Sequence, residues 1–360
     1  MGPQGTTKAV VTLLRHLSCE PKPLNRFKSY GDTRLKQLIR RADAGQPDSA
    51  RRALDVLRVG LWFEELRAQS GCETAYGLGR LLQPQTYKEG FHHNNLWAKY
   101  AGGLHLPGAE TVRACAEKLP GSDEPLMSPA WCALDISKAP KGNGDTLLRA
   151  VGPGIQTAVF DARELAKGRY VLRKALGTSL RSLEGQAGLQ SLAATVLLLQ
   201  DAYVNGDRSR AFTIGRSLHR TLLMAAVASP LKFISVELFE FFIRYIFPMA
   251  AGEEFEMDLD RNMLQSQSEW LRRTALNLHM RGRPGFSLVG NTRQLRRLLQ
   301  LDFGFDLLYG LGPRLRTLMP SDAVRPRLSA FVAENNARCD WGASVLASGQ
   351  CVRLPPDHIR

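Results

Sequence analysis

Apolar side chains recur at intervals of three and four residues along most of the chain, and this spacing constrains the fold more than any other feature. Near the amino end it runs through Leu35 and Leu38 and continues through Leu54, Leu57 and Leu61, with Arg on the opposite side. Such spacing collects apolar side chains on one face of an α-helix. Strand-like alternation is scarce throughout. We therefore predict an all-α protein, built as an irregular helical bundle.

Length and turn composition predict two helical domains. A chain of 360 residues is long enough for two domains of ordinary size. Residues 138–154 carry a cluster of Gly and Pro, which is typical of loops. We therefore place a Gly/Pro-rich linker at 138–157, between a helical domain at 1–137 and a helical interaction or dimerisation domain at 158–360.

Long helical patterns run through the whole carboxy-terminal domain. The pattern predicts single helices over 158–176 and 231–247, and the second is aromatic on almost every side, so we expect it in the core or in an oligomer contact. A further helix is predicted over 254–279. Its acidic beginning is interpreted as a solvated helix start, because negative charge is favoured near a helix amino terminus.

The charge balance favours an anionic partner. The chain has 48 Lys and Arg against 34 Asp and Glu, a formal net charge of +14. Residues 1–60 hold twelve basic side chains against five acidic ones, and residues 271–338 hold twelve against four. A surplus of this kind is typical of proteins that meet nucleic acid or other anions. Most of the basic residues are Arg, which either suits phosphate or reflects a GC-rich genome.

One region of the amino-terminal domain carries a distinctive pattern. A short helix is predicted at 94–100, Gly102 and Gly103 end it, and Pro107 precedes a second helix at 109–119. The region resembles the back half of lambda-repressor-like helix-turn-helix domains, and we place the element at about 73–122, within a longer string that is also similar to an uncharacterised group of proteobacterial proteins. The residues that carry the first resemblance are Trp97, Tyr100, Gly103, Pro107 and Leu119.

This resemblance implies that the first helix docks in the major groove of DNA. Polar side chains on it would reach base edges, and cations beside it would meet phosphate. Trp97 and Tyr100 are instead expected to pack beneath the helix. The implied base-contacting residues are Asn94, Asn95 and Lys99, and the implied phosphate-contacting residues are Lys88, His92 and His93.

A second candidate anion-binding surface lies at residues 291–301. Leucines at helical spacing are predicted to face inward, while Arg293, Arg296 and Arg297 face outward. Such a face binds phosphate or an acidic protein, or is simply solvated; the pattern leaves these alternatives open.

Motifs for catalysis and for metal binding are missing from the sequence. The six Cys are scattered without a CxxC pair, and the spacing of the His residues fits no zinc pattern. Walker, HExxH and GxSxG motifs are all missing. We therefore predict no catalytic residue, no cofactor and no metal.

The sequence predicts a cytoplasmic bacterial protein that binds duplex DNA without catalysis, as a regulator or accessory factor. The main alternative is a scaffold or immunity protein that binds an acidic protein and not DNA, and an enzyme without short motifs comes third. A homodimer is left open. No membrane partner is expected, because the most apolar stretches are short or interrupted by charges.

Overall fold

The described part of the chain is overwhelmingly helical. Within its described residues the computed structural model is 74% helical, with eighteen α-helices and one small two-stranded sheet, so the predicted all-α fold is confirmed. The residues described are 25–46, 48–86, 95–137, 144–228, 230–280, 292–319, 325–349, 352 and 354–357.

The helices that precede residue 160 are mostly short. They are α1 (Asn25–Asp43), α2 (Ser49–Ser70), α3 (Ala75–Leu82), α4 (Leu96–Ala101), α5 (Ala109–Lys118), α6 (Glu124–Met127), α7 (Ala130–Leu134), α8 (Gly144–Ala150) and α9 (Pro153–Val159).

Longer helices and the two strands follow. They are α10 (Ala162–Ala166), α11 (Leu176–Glu184), α12 (Leu189–Val204), α13 (Arg208–Ala228), α14 (Ser235–Phe241), β1 (Phe255–Asp258), α15 (Arg261–Met280), α16 (Thr292–Leu298), α17 (Phe305–Gly310), β2 (Arg314–Thr317) and α18 (Pro326–Ser348).

Helix α12 lies at the centre of the larger hydrophobic core. Its side chains are buried on almost every side, with Leu192, Val196 and Leu199 fully buried. Helices α7, α8, α9, α11 and α13 all contact it. A helix that is apolar all round requires this kind of enclosure.

A smaller hydrophobic core joins α2, α3, α4 and α5. Trp62 and Phe63 of α2 pack there with Leu78, Trp97 and Tyr100, and all five are nearly or fully buried. This core fixes the helices of the region that resembles a helix-turn-helix domain.

A buried ion cluster connects α1, α2 and α14. Arg34 donates from Nη1 to Glu64 at 2.9 Å and from Nε to Glu237 at 2.8 Å. Arg67 pairs with Glu64 at 2.7 Å, so the cluster contains two cations and two carboxylates. Gly60 makes room for it, since a Cβ there would lie 2.7 Å from Cδ of Arg34.

Much of the predicted linker is folded. Residues 144–150 and 153–159 form α8 and α9. Leu148 and Ile155 are buried in the same core as Leu57 of α2. The division into two domains stays a prediction.

The aromatic segment is buried and helical as predicted, but over 231–247 it is not a uniform α-helix. Phe241 and Phe242 are fully buried. The backbone passes from a 3-10 turn (Pro230–Ile234) through α14 into a π turn (Phe242–Ile246) and a second 3-10 turn. Pro248 lies in this last turn, and its missing N–H and fixed φ oppose a continuous α-helix.

The predicted helix over 158–176 is wrong, because the chain turns back on itself there. Asp161 caps α10 by accepting from the backbone N–H groups of Arg163 and Glu164. Gly168 then adopts a φ of 72°, in the left-handed region. Helix α11 begins only at Leu176.

The acidic stretch is a strand and not the expected helix start. Strand β1 pairs antiparallel with β2, in a register that sets Glu256 opposite Arg316. These two side chains form an ion pair at 2.6 Å. Arg325 pairs with Glu254 at 2.8 Å. The basic residues near the carboxy end therefore neutralise the acidic stretch.

Helices α17 and α18 cross at two glycines. A Cβ on Gly310 would lie 2.6 Å from the carbonyl carbon of Gly342. Real Cβ atoms do not approach that closely, so the two backbones can touch only because both residues are glycine.

None of the described helices, taken singly, combines the length and the apolar composition that are needed to cross a membrane. Two consecutive segments, Arg208–Ala228 and Pro230–Ala250, are long and apolar enough when taken together, but their axes meet at a bend of 94°.

Candidate nucleic-acid interface

Residues 73–122, for which the sequence predicts a helix-turn-helix-like element, include α3, α4 and α5 among their described part. Four of its predicted contact residues, Lys88, His92, His93 and Asn94, lie outside the described residues. Asn95 and Lys99 are described, and both are exposed. The geometry of the candidate site therefore rests on α4 and on what surrounds it.

The inner side of α4 is aromatic. Trp97 and Tyr100 are each 2% exposed, which confirms that they pack beneath the helix. The Trp97 ring stacks on Trp62 at 6.0 Å, and its Nε1 donates to Oε1 of Gln83 at 3.2 Å. Burial raises the pKa of Tyr100 above its ordinary value. These rings act as a structural support for the outer side of α4.

The outer side of α4 presents an amide and a cation. Asn95 precedes the helix with a φ of 48°, a left-handed conformation that Asn tolerates better than most residues. Its carbonyl oxygen accepts from the N–H of Lys99 at 3.0 Å, which begins the helix. The side chains of Asn95 and Lys99 are both exposed, so each faces the solvent.

The glycine turn after α4 fixes this helix against α2. Helix α4 ends at Ala101, one residue beyond the predicted end, and Gly102 is its cap, as the predicted glycine stop requires. Gly103 has a φ of 65°, and a Cβ there would lie 2.7 Å from Cγ1 of Val56. Only glycine meets both conditions. The outer side of α4 is thus held at a fixed distance from α2.

A basic cleft lies beside the glycine turn. It has a volume of about 720 Å³ and is formed by α1, α2 and residues 103–106. Asp55 is the one carboxylate among its described lining residues, and burial is the main reason that its pKa is raised. Its cationic and titratable lining residues are Arg40, Arg41, Arg52 and His105.

The arginines of this cleft differ in burial and in hydrogen bonding. Arg41 is half-buried, donates to the carbonyl oxygen of Arg52 at 2.5 Å and has a pKa lowered by desolvation. The side chains of Arg40 and Arg52 are exposed. Among the described residues, neither forms an ion pair with a carboxylate. Nη1 of Arg52 donates to Oε1 of Gln46 at 3.1 Å, but no described carboxylate compensates the charge of Arg40 or Arg52, so both attract an anion from outside.

Sequence reasoning missed the basic cleft. The available signal was two Arg-Arg pairs, at 40–41 and 51–52, inside the basic amino-terminal segment. The helical spacing predicts that each pair lies on the polar side of its own helix. It does not predict that the two pairs lie opposite each other. That arrangement depends on how α1 and α2 cross.

The predicted arginine face of α16 is divided by the structure. Leu295, Leu298 and Leu299 are buried as predicted. Arg297 pairs with Asp302 at 3.0 Å and lies over the Phe303 ring. The other two, Arg293 and Arg296, line a different cleft, which faces α11.

His105 and Cys115 of this region both pack against the fold. His105 stacks on Tyr100 at a centroid distance of 6.2 Å. Cys115 is fully buried, and burial raises the pKa of its thiol to about 12. Within the described ranges, no three His, Cys, Asp or Glu side chains are grouped as a metal site requires.

Comparison of the chain with protein-family models, with curated proteins and with solved structures gives no match.

Proposed function

We propose that the protein binds duplex DNA without catalysing a reaction on it, as a regulator or accessory factor. The observation that carries the proposal is the junction of two surfaces. Residues 103–106 leave α4 directly and form one wall of the cleft that holds Arg40 and Arg52. A polar helix face and a basic cleft are thus neighbours, as base contacts and phosphate contacts are in DNA-binding proteins.

In this proposal the two surfaces have different tasks. Arg40 and Arg52 contact backbone phosphates, for which the guanidinium fork is well suited. Asn95 reads a base edge, and Lys99 contacts a base or the neighbouring phosphate. The aromatic support and the Gly103 turn keep α4 rigid relative to the cleft, so the two sets of contacts hold one register on the duplex.

A titration of labelled duplex DNA at two salt concentrations tests the proposal. Binding that uses six or more phosphates weakens by about 10³-fold or more between roughly 50 and 200 mM salt. The double variant Arg40→Gln/Arg52→Gln should lower the slope of log affinity against log salt by about 2, since each lost phosphate contact removes about 0.9.

A matched control separates specific contacts from general charge. Arg163 of α10 and Arg327 of α18 are exposed, and no described carboxylate pairs with either. The double variant Arg163→Gln/Arg327→Gln makes the same change in net charge. Failure of the parent to bind duplex DNA at the lower salt would contradict the proposal, and so would equal losses in the two double variants.

The alternative, a scaffold that binds an acidic protein, has one observation in its favour. Leu104 and Leu106 line the same cleft and are 44% and 46% exposed. Apolar side chains beside arginines suit an acidic amphipathic segment better than a phosphate backbone. Replacing both leucines by Ser distinguishes the two functions, because duplex affinity should then be unchanged while binding of an acidic protein should weaken.

A further inference from the structure

A second cleft lies between α11 and α16, on a part of the chain that takes no part in the proposed duplex contacts. Its volume is about 370 Å³. Ligand pockets range from roughly 300 to 1,000 Å³, so this cleft has room for one small molecule. It is lined by Thr178, Arg181, Ser182, Gly185, Gln186, Arg293 and Arg296.

The cleft concentrates positive charge without compensation. Arg181, Arg293 and Arg296 line it, and no carboxylate does so among the described residues. None of the three forms an ion pair with a described carboxylate, whereas most described arginines of residues 271–338 do. Their neighbour Arg297 is paired with Asp302. Three guanidinium groups around one small space repel each other unless an anion lies between them.

Two hydrogen bonds connect the walls of the cleft. Nη1 of Arg296 donates to the carbonyl oxygen of Arg181 at 3.1 Å. The hydroxyl of Thr292 donates to the carbonyl oxygen of Gly185. Nε of Arg296 is buried, and no described group accepts from it. A small rotation of this side chain toward the cleft would bring that donor to a bound anion.

We propose that this cleft binds the phosphate group of a small ligand. A phosphate ester carries about −1.5 to −2 charges near pH 7 and offers three acceptor oxygens, which three guanidinium groups match better than they match a single carboxylate. Thr178 and Ser182 add hydroxyl groups, whereas the amide nitrogen of Gln186 already donates to the carbonyl oxygens of Gly154 and Ser182. The guanidinium fork binds two phosphate oxygens at once. This assignment does not depend on duplex binding.

Calorimetric titration of the full chain with inorganic phosphate and with phenyl phosphate tests the site, with acetate at matched ionic strength as the control anion. We expect saturable binding of one phosphate group per chain and no saturation with acetate. Tighter binding of phenyl phosphate assigns the site to an organic phosphate, and tighter binding of inorganic phosphate assigns it to the free ion.

Variants on the same two helices locate the binding. Arg181→Gln and Arg293→Gln should each weaken phosphate binding about tenfold or more, since each removes a charge-assisted hydrogen bond. Arg293→Lys keeps the charge but not the fork and should lose less. Arg297→Gln is the matched control on α16 and should bind phosphate like the parent.

Three results would overturn the assignment. The first is that neither phosphate probe saturates the parent. The second is an equal loss in Arg297→Gln and Arg293→Gln, which would indicate general charge. The third is that Arg181→Gln and Arg293→Gln weaken duplex DNA by the same factor as the small phosphates, which would make the cleft part of a nucleic-acid surface. Thermal melting of each variant confirms that it is folded.

Discussion

The Nε of Arg34 donates a hydrogen bond to Oε1 of Glu237 at 2.8 Å, although 203 residues separate the two in sequence. Both side chains are almost completely buried. Arg34 also donates to the carbonyl oxygen of Ala101 at the end of α4. The pair thus connects the amino-terminal helices and the candidate interface to α14, in the segment assigned by sequence to a separate domain.

Loss of the Arg34 guanidinium should destabilise the whole fold. Arg34→Met leaves Glu64 and Glu237 buried with one cation fewer, which should cost about 3 to 5 kcal/mol of unfolding free energy. Urea unfolding measures it. Arg113→Met is the control, because the Arg113–Glu117 pair is largely exposed and should contribute at most about 1 kcal/mol. Equal midpoints for the two variants would show that Arg34 is not a structural cation.

The protein should become less stable as pH falls, because of His219. Burial is the main cause that lowers the pKa of this fully buried imidazole to about 4, and Arg216 and Arg220 lower it further. The unfolded chain binds a proton near the ordinary pKa of 6.5, so folding stability decreases as pH falls from about 6.5 to 4, by about 3 kcal/mol in total. In His219→Gln this part of the pH dependence should be missing.

The comparison is made by urea unfolding at several pH values between 4 and 7. Gln can still hydrogen-bond Gln267, the partner of the imidazole at 3.0 Å. Parallel pH profiles for parent and variant would mean that His219 titrates normally in the folded protein.

The close crossing of α17 and α18 should not tolerate a methyl group. Gly310→Ala places Cβ against the backbone of Gly342 and should destabilise the fold by about 1 to 3 kcal/mol. Gly177→Ala in α11 meets no atom within 4 Å and should be neutral or stabilising by up to about 1 kcal/mol. Thermal melting of the two variants checks the difference in sign, and a neutral Gly310→Ala would show that the two helices can separate.

Substitutions in α4 and at its cap should separate the structural role of Trp97 from the proposed base contact of Asn95. Trp97→Ala should cost about 3 to 5 kcal/mol of stability, because it removes a buried ring. Asn95→Gly preserves the left-handed backbone while it removes the amide, so it should lose about 1 to 3 kcal/mol of discrimination at one base pair and little stability. Asn95→Ala is less suitable, since it also strains the backbone.

Melting curves and duplex titrations with several sequences provide these values. Lys99→Ala should weaken all duplexes alike if Lys99 contacts phosphate. Unchanged discrimination in Asn95→Gly would remove Asn95 from the proposed base contacts.

The sequence predicted the parts of the fold that a single helix determines. The leucines of α16 and the aromatic rings of α4 followed the three- and four-residue spacing and are buried as expected. The spacing failed where distant residues decide the structure. Residues 255–258 are a strand because 314–317 lie beside them, and no local pattern contains that pairing.

The candidate sites were predictable to a smaller extent, for the same reason. Sequence placed Arg293 and Arg296 on an outer helical face but grouped them with Arg297, because neighbours on a helix look equivalent. The contact with α11 and the pairing of Arg297 with Asp302 separate them. Likewise, Arg40 and Arg52 come together only through the crossing of α1 and α2.

The buried Arg34 cluster also sets an order of events during synthesis. A ribosome that adds roughly 5 to 20 residues per second needs about 10 to 40 s to pass from Arg34 to Glu237, 203 residues later. For most of that interval the nascent amino-terminal helices have Glu64 but not their second carboxylate. The Ala101 end of α4 therefore receives its complete set of anchoring contacts only after α14 has emerged, so a released amino-terminal fragment would present α4 before its position is fixed.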